Sequence, residues 1–398
     1  MSVSRKPSLV ASRPLIRQAP PATFSPKGRR KTTGEALPLT KLCVVAAGGT
    51  GGHMFPAEAL AREMATRGWR VVLATDHRGE QYAQAFPAEE RLALDAATGS
   101  GPIGLIKAGV AIVRGIGQAQ TAFNRLDAQV VVGFGGYPSA PALVAAILQK
   151  RPTLIHEQNA VLGRTNRALA PHVRAVASSF PTLERASPAV KARAQVVGAP
   201  VRADIRALFD RAWAPPGDGP IRILVTGGSQ GARLLSETTP RALAALPDAI
   251  KRRLKVQQQS RPETLETSRQ IYLDAGIEAE VAPFFRDMAS RLSAAHLVIG
   301  RAGASTCAEL AVAAMPSILI PLKIATDDHQ RLNAKLLTDV AAAEVILEDD
   351  VTVAAMAAAV AGVLADPARL ASMSAAARSV AIPDAAQRLA DLAEATAG

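Results

Sequence analysis

Residues 41–60 read KLCVVAAGGTGGHMFPAEAL, and this stretch decides the fold. Leu42 to Ala46 is a short valine-rich apolar run, the pattern of a strand buried on both faces. Ala47-Gly48-Gly49-Thr50-Gly51-Gly52-His53 follows at once, and helical spacing sets in from about Pro56. Glycines after a strand let the backbone approach a ligand closely and leave helix N-terminal amides free for an anion. A strand, a glycine turn and a helix make the first half of a βαβ unit, so a parallel sheet is expected.

The same alternation continues outward from this unit. Strands are expected at Leu42–Ala46, Arg70–Ala74, Val130–Gly133, Thr153–His156 and Ala175–Ala177. The pattern restarts after Pro215-Pro216-Gly217-Asp218-Gly219-Pro220, with strands at Ile221–Thr226, Leu254–Gln258, Ala279–Val281, Leu297–Ile299 and Ser317–Ile320. The fold class is therefore α/β, with two Rossmann-like domains whose parallel sheets face a central cleft. The expected limits are a tail over 1–40, an N-terminal domain over 41–200 and a C-terminal domain over 201–382. A last helix, about 383–398, is expected to be free to pack back on the first domain.

A chain of 398 residues with 48% hydrophobic composition exceeds what one growing core supports, in agreement with two domains. The formal charge of +12 suggests a nucleic-acid partner until its location is examined. Residues 1–40 hold eight Lys/Arg against one acid, Glu35, so more than half of the excess sits in this tail. Six prolines and few large apolar groups make the tail read as disordered, either an arm for anionic lipid or a dispensable extension. No apolar stretch with a cleavage site marks it as a secretion signal, and no run reaches the roughly 20 residues that cross a bilayer. Cys43 and Cys307 fall on separate elements and read as buried, reduced thiols. No nucleic acid is expected as a partner.

Two further glycine turns follow strands: Thr226-Gly227-Gly228-Ser229-Gln230-Gly231-Ala232, and Gly300-Arg301-Ala302-Gly303-Ala304-Ser305-Thr306 before a helix carrying Glu309. Neither of the first two loops satisfies G-x-G-x-x-G, which removes the main support for a dinucleotide site, and no P-loop signature occurs. A D-x-D pair for a metal-bound diphosphate is also absent from the sequence. A site of this kind would neutralise a diphosphate with amide dipoles, hydroxyls and an arginine, with neither metal nor cofactor.

GGTGGH (48–53), FGGYPSAP (134–141), HEQN (156–159), GAPVR (198–202), TGGSQGA (226–232), RAGAST-x-x-E (301–309) and DDHQ-x-x-NA (327–334) stand in one order across both halves. From about residue 41 onward the chain resembles the undecaprenyl-diphospho-muramoylpentapeptide β-N-acetylglucosaminyltransferases, the MurG family. The resemblance implies a GT-B fold and inverting transfer of N-acetylglucosamine from UDP-N-acetylglucosamine to the muramoyl C4 hydroxyl of undecaprenyl-linked lipid I, giving lipid II. It implies a peripheral position on the cytoplasmic face of the bacterial inner membrane, and cell-wall synthesis proteins as possible partners. The alternatives are another lipid-directed GT-B glycosyltransferase, a UDP-sugar epimerase or a nonenzymatic basic surface binder.

His53 is the candidate base, since a near-neutral imidazole suits proton abstraction; a histidine that only fastens the loop is the competing reading. By resemblance Thr50, Gly51 and Gly52 approach the donor sugar or acceptor diphosphate, and Ser229 contacts the donor diphosphate. Asn159 suits sugar hydroxyls or an acetamido group, or serves as a structural amide. Arg202 has a fork of donors suited to phosphate, or to an interdomain salt bridge. The resemblance assigns Glu309 to the ribose hydroxyls, Ser305 and Thr306 to phosphate, Ala304 to the edge of uracil, and Gln330 with Asn333 to donor-sugar hydroxyls. Phe285 stands where family members put an apolar group beside uracil, and equally reads as a core ring.

Residues 103–116 carry Ile103, Leu105, Ile106, Val110, Ile112, Val113 and Ile116 with Lys107 and Arg114 among them. Apolar groups beside cations suit an anionic cytoplasmic membrane surface, whereas an amphipathic helix buried in the first core is the simpler account.

Overall fold

The computed structural model describes residues 41–398 apart from 49–50, 78, 80–85, 100 and 229–230. The basic tail over 1–40 lies outside the described residues.

Each expected strand forms, most of them one residue longer or shorter than the apolar run alone indicates. The first sheet holds β1 (Leu42–Ala46), β2 (Arg70–Thr75), β3 (Glu90–Ala93), β4 (Val130–Gly133), β5 (Thr153–Glu157), β6 (Ala175–Ser178) and β7 (Ala194–Val196). Its strands are parallel in the order β3-β2-β1-β4-β5-β6-β7. The second holds β8 (Ile221–Thr226), β9 (Leu254–Gln259), β10 (Glu278–Ala282), β11 (Leu297–Gly300), β12 (Ser317–Leu319) and β13 (Ala343–Val345). It repeats the arrangement as β10-β9-β8-β11-β12-β13, again parallel. Two doubly wound sheets follow one another in the chain.

Helices cover both faces of each sheet, and the strand pleat divides the side chains between them. Leu42, Val44 and Ala46 enter one core cluster while Cys43 and Val45 enter the other. Burial pushes the thiols of Cys43 and Cys307 up to about 12, so both are held as protonated, inert groups. The helix after β1, α1 (Gly51–Thr66), begins at Gly51, five residues ahead of the expected start. Pro56 lies inside it and lacks the N–H that would bond Gly52, so the proline does not mark the first turn here.

The last helix, Ala385–Ala397, follows the second sheet but buries its apolar stripe in the first. Leu389, Ala390, Leu392 and Ala393 pack with Met54, Leu60 and Met64. Trp69 Nε1 donates to Glu394 at 2.8 Å, and Arg67 Nη1 reaches Asp391 at 2.6 Å and Glu394 at 2.8 Å. The two passages between lobes lie against each other. Gly198 has φ +86°, and a Cβ there would come within 2.8 Å of Ile382 Cβ.

Among the described residues no single helix is long and apolar enough to cross a membrane. The bent pair Val353–Leu364 and Pro367–Ser379 passes only jointly, and its Met356, Val360, Val363, Leu370 and Met373 are buried in the second core.

Leu389 is fully buried, so Leu389→Ala should remove about 3 kcal/mol of stability. Thermal denaturation should show a clearly lowered midpoint; an unchanged midpoint would mean the last helix is an appendage.

Candidate active site

In a doubly wound sheet, ligands meet the crevice at the carboxyl ends of the strands where the order reverses. Those points are β1/β4 in the first sheet and β8/β11 in the second. Residues 47–48, 51–53 and 134–139 flank the first point, and residues 227–228, 231–232 and 301–303 flank the second. Thr50 and Ser229 lie outside the described residues. Gly51 and Gly52 form the start of α1, Gly51 buried against Phe55 and Gly52 exposed.

His53 stands in the first turn of α1 and is partly exposed. Its Nδ1 is 2.8 Å from the carbonyl oxygen of Phe134 and 3.1 Å from Gln158 Oε1. Across from it, Gly136 has φ +71°, and a Cβ there would stand 3.5 Å from His53 Nε2. A glycine at this point keeps the space beside Nε2 open. The ring is thus anchored through one nitrogen and presents the other.

At the end of β5, Glu157 is buried and accepts four hydrogen bonds: from Asn159 N (3.0 Å), Asn159 Nδ2 (3.3 Å), Gly163 N (3.0 Å) and Asn166 Nδ2 (2.8 Å). It builds the turn that carries Asn159. His156 beneath it is fully buried, and burial lowers its pKa to about 4 while the nearby His53 adds to the effect. It is a neutral ring at ordinary pH.

Asn333 departs from its expected role. It is fully buried, its Oδ1 accepts from Ala160 N at 2.8 Å, and its Nδ2 donates to Asn159 Oδ1 at 3.1 Å and Ala302 O at 3.3 Å. Its amide is spent on joining the loop after β5 to the loop after β11, so in this conformation it offers nothing to a sugar. A second contact of the same kind joins Asp327 Oδ1 to Arg185 Nη1 at 2.5 Å, with Arg167 at 3.9 Å. Asp327 and Asp328 both take left-handed φ, 58° and 55°. Strain of this sort persists only where surrounding contacts hold it.

Glu309 lies on the helix Ala304–Val312 and is partly buried. Burial raises its pKa to about 7; the charge of Arg202 opposes the rise and that of Asp204 adds to it. Arg202 itself precedes a short helix at the lobe crossing, 3.8 Å from Asp204, with its guanidinium 5.7 Å from the Phe55 ring centre. Its Nε is buried without a hydrogen-bond partner among the described residues. Arg202 and Glu309 therefore form one electrostatic unit between α1 and the second sheet. Ala304, Ser305 and Thr306 open the Glu309 helix, with Ala304 buried and the other two partly exposed.

Gln330 opens the helix His329–Thr338 and accepts from Leu322 N at 3.0 Å through Oε1; its NH2 has no partner among the described residues. Phe285 is buried in the second core with the Arg291 guanidinium 3.7 Å over its ring, which fits the core reading. The adjacent Phe284 is the exposed ring, at 57%. Gln158, Gly136 and Asp327 carry site geometry but were not singled out by the sequence reading; Gln158 stands inside HEQN, next to the asparagine that was.

A carboxyl whose folded pKa exceeds its ordinary 4.5 destabilises the fold once pH rises above that ordinary value, with the full effect above about 7. Glu309→Gln should therefore stabilise the ligand-free protein at pH 8 by about 3 kcal/mol and leave it nearly unchanged at pH 4. Thermal midpoints across pH 4–8 test this; equal shifts at both ends would contradict the burial argument.

Residues 43–178 match the glycosyltransferase family 28 N-terminal domain, and residues 222–389 match the family 28 C-terminal domain. The UDP-N-acetylglucosamine--N-acetylmuramyl-(pentapeptide) pyrophosphoryl-undecaprenol N-acetylglucosamine transferase of Caulobacter vibrioides is 63% identical over 361 residues, covering 90% of this chain and 100% of its own. The transferase of the same name from Phenylobacterium zucineum is 61% identical over 362 residues, covering 90% of this chain and 99% of its own. The crystal structure of MurG from Acinetobacter baumannii is similar at a TM-score of 0.74 and 32% identity, over 89% of this chain and 99% of that one. With two family 28 domains, two doubly wound sheets and relatives this similar along their whole length, the chain belongs to the UDP-N-acetylglucosamine--N-acetylmuramyl-(pentapeptide) pyrophosphoryl-undecaprenol N-acetylglucosamine transferase family and has the GT-B fold.

Proposed function

We propose that this chain moves N-acetylglucosamine from UDP-N-acetylglucosamine to the C4 hydroxyl of the muramoyl sugar of undecaprenyl-diphosphate-linked lipid I, giving lipid II and UDP with inversion at C1. The observation that carries this is the pairing of two switch-point crevices across one buried amide, Asn333. It sets the His53–Asn159 side of the first sheet against the Arg202–Glu309 side of the second. The lobe over 41–200 takes the lipid acceptor and the lobe over 201–382 takes the donor.

In this reading the acceptor hydroxyl gives its proton to His53 Nε2 as its oxygen bonds C1 of the sugar. The bond from C1 to the diphosphate oxygen breaks, and UDP leaves with the electron pair. Amides at the starts of α1 and of the Ala304–Val312 helix, the hydroxyls of Ser229, Ser305 and Thr306, and the Arg202 guanidinium take up the leaving charge. By resemblance Thr50, Gly51 and Gly52 belong to the loop that approaches the donor sugar or acceptor diphosphate. Glu309 holds the ribose hydroxyls, and Gln330 uses its NH2, which has no partner among the described residues, on the donor sugar.

The acceptor's polyprenyl tail requires the protein to work at the cytoplasmic face of the inner membrane. The helix α2 (Gly101–Leu126) supports this reading: Ile103, Leu105, Ile106, Val110 and Val113 are 55–71% exposed beside Lys107 and Arg114, instead of being buried in the core. Ile116, further along, does pack against the core. The apolar surface is thus confined to the first half of one helix, a form suited to shallow insertion in an anionic leaflet.

UDP release with and without a lipid I analogue tests the reaction: release that depends on the acceptor is expected, and acceptor-independent epimerisation of the donor would overturn it. His53→Ala should lower kcat by roughly 10²–10⁴-fold with little change in the KM for UDP-N-acetylglucosamine. Near-normal turnover would remove His53 as the base. Replacing Ile103, Leu105 and Ile106 together by Ser should weaken sedimentation with anionic liposomes while the thermal midpoint stays within a few degrees, since exposed side chains contribute little to stability. A large fall in the midpoint would instead place them in the core.

A further inference from the structure

We infer that Gln158 is a positioning residue that holds His53 in the tautomer a general base requires, and that His156 and the carbonyl of Gly198 hold Gln158 in turn. The inference rests on His53 being the base, as proposed above.

His53 Nδ1 faces two oxygens, the Phe134 carbonyl at 2.8 Å and Gln158 Oε1 at 3.1 Å. A carbonyl only accepts, so Nδ1 carries the proton, and a neutral ring then has its lone pair on Nε2. This is the nitrogen beside Gly136, where the absent side chain leaves room for a hydroxyl. The opposite tautomer would set a lone pair against the Phe134 carbonyl and present an N–H to the acceptor, which cannot take up a proton.

The Phe134 carbonyl alone does not fix the ring plane, and Gln158 helps only if its oxygen, not its NH2, faces His53. The neighbouring histidine decides that orientation. His156 Nε2 is 3.1 Å from Gly198 O and 3.2 Å from Ser179 Oγ. Because Gly198 O only accepts, the His156 proton is on Nε2, and Nδ1 is an acceptor that draws the Gln158 NH2 to 3.4 Å. Burial keeps His156 neutral, with its pKa near 4, so Nδ1 does not gain a proton at working pH. Gln158, 3% exposed, can then present only its oxygen to His53. The chain of bonds runs from the lobe crossing at Gly198, through His156 and Gln158, to the ring that meets substrate.

Long-range ¹H–¹⁵N correlation spectra of the ¹⁵N-histidine-labelled wild-type protein read both tautomers directly. His53 protonated on Nδ1 and His156 on Nε2 are expected; His53 protonated on Nε2 overturns the inference. In parallel, Gln158→Leu removes the acceptor and Gln158→Glu keeps it. The leucine variant should lose about tenfold in kcat with the KM for UDP-N-acetylglucosamine unchanged within twofold, and the glutamate variant should recover most of that loss. Wild-type kcat in Gln158→Leu, equal losses in both variants, or a rise in KM alone would each overturn it. If Gln158→Leu does not fold, the spectra of the wild-type protein decide. His53→Ala separates the two readings: an active alanine variant removes the base and this inference together, whereas an inactive one beside a fully active Gln158→Leu removes this inference alone.

Discussion

A buried amide must find its partners inside the protein, because each group left unpaired costs about 1–3 kcal/mol. Asn333 meets that demand with three bonds to two loops at once: to Asn159 and Ala160 after the first sheet's β5 and to Ala302 after the second sheet's β11. The separation of the two lobes is set by these bonds, and so is the distance between the groups each lobe brings. Loss of any one bond leaves a polar group stranded in the interface, so the arrangement is all or none. Asp327 works beside it from a strained left-handed backbone, held by Arg185 and Arg167 of the opposite lobe. Both contacts spring from the segment that carries Gln330, which ties closure of the cleft to placement of the group assigned to the donor sugar.

The electrostatics of the cleft follow from the same construction. Parallel strands deliver helix N-termini, and with them positive dipole ends, to the edge where the lobes meet. Into this field the fold sets a carboxyl, Glu309, whose burial lifts its pKa to about 7 against the opposing charge of the nearby Arg202. A half-ionised carboxyl suits a partner rich in hydroxyls, since either form can bond them. Arg202 carries the opposite imbalance, a buried Nε with no hydrogen-bond partner among the described residues, beside the aromatic face of Phe55. Each charge is under-satisfied in the ligand-free molecule, which is where a ligand gains most from supplying what is missing.

Interior strands were legible in the sequence because strands buried on both faces must be continuously apolar. Of the four edge strands only β10, which the run Ala279–Val281 marks, was legible; β3, β7 and β13 went unread. Glu90 and Arg91 in β3, and Gln195 in β7, belong to strands with one open edge, where polar residues are tolerated and no apolar run forms. The glycine turns were legible for a similar reason, since close approach needs glycine whatever binds there. Roles that depend on where an amide points were not. Asn333 reads as a sugar ligand by motif and is an interlobe tie in space, and Gln158 is silent in sequence because its meaning lies in two histidines, one of them 105 positions away. Spacing encodes which loop a residue occupies, but its hydrogen-bond partners come from loops the spacing cannot relate.

The lobe crossing links these observations. The chain leaves the first sheet at Gly198 and returns past Ile382 into a helix packed on α1, so both passages are pinned at one place, too tight there for any side chain at 198. A positive φ of 86° turns the backbone so that the Gly198 carbonyl faces His156 instead of solvent. A residue other than glycine would collide with Ile382 and resist that turn, and the acceptor that sets His156 would be displaced. The same glycine therefore serves two ends that the fold does not separate: joining the lobes, and fixing the first link in the hydrogen-bonded series that ends at His53.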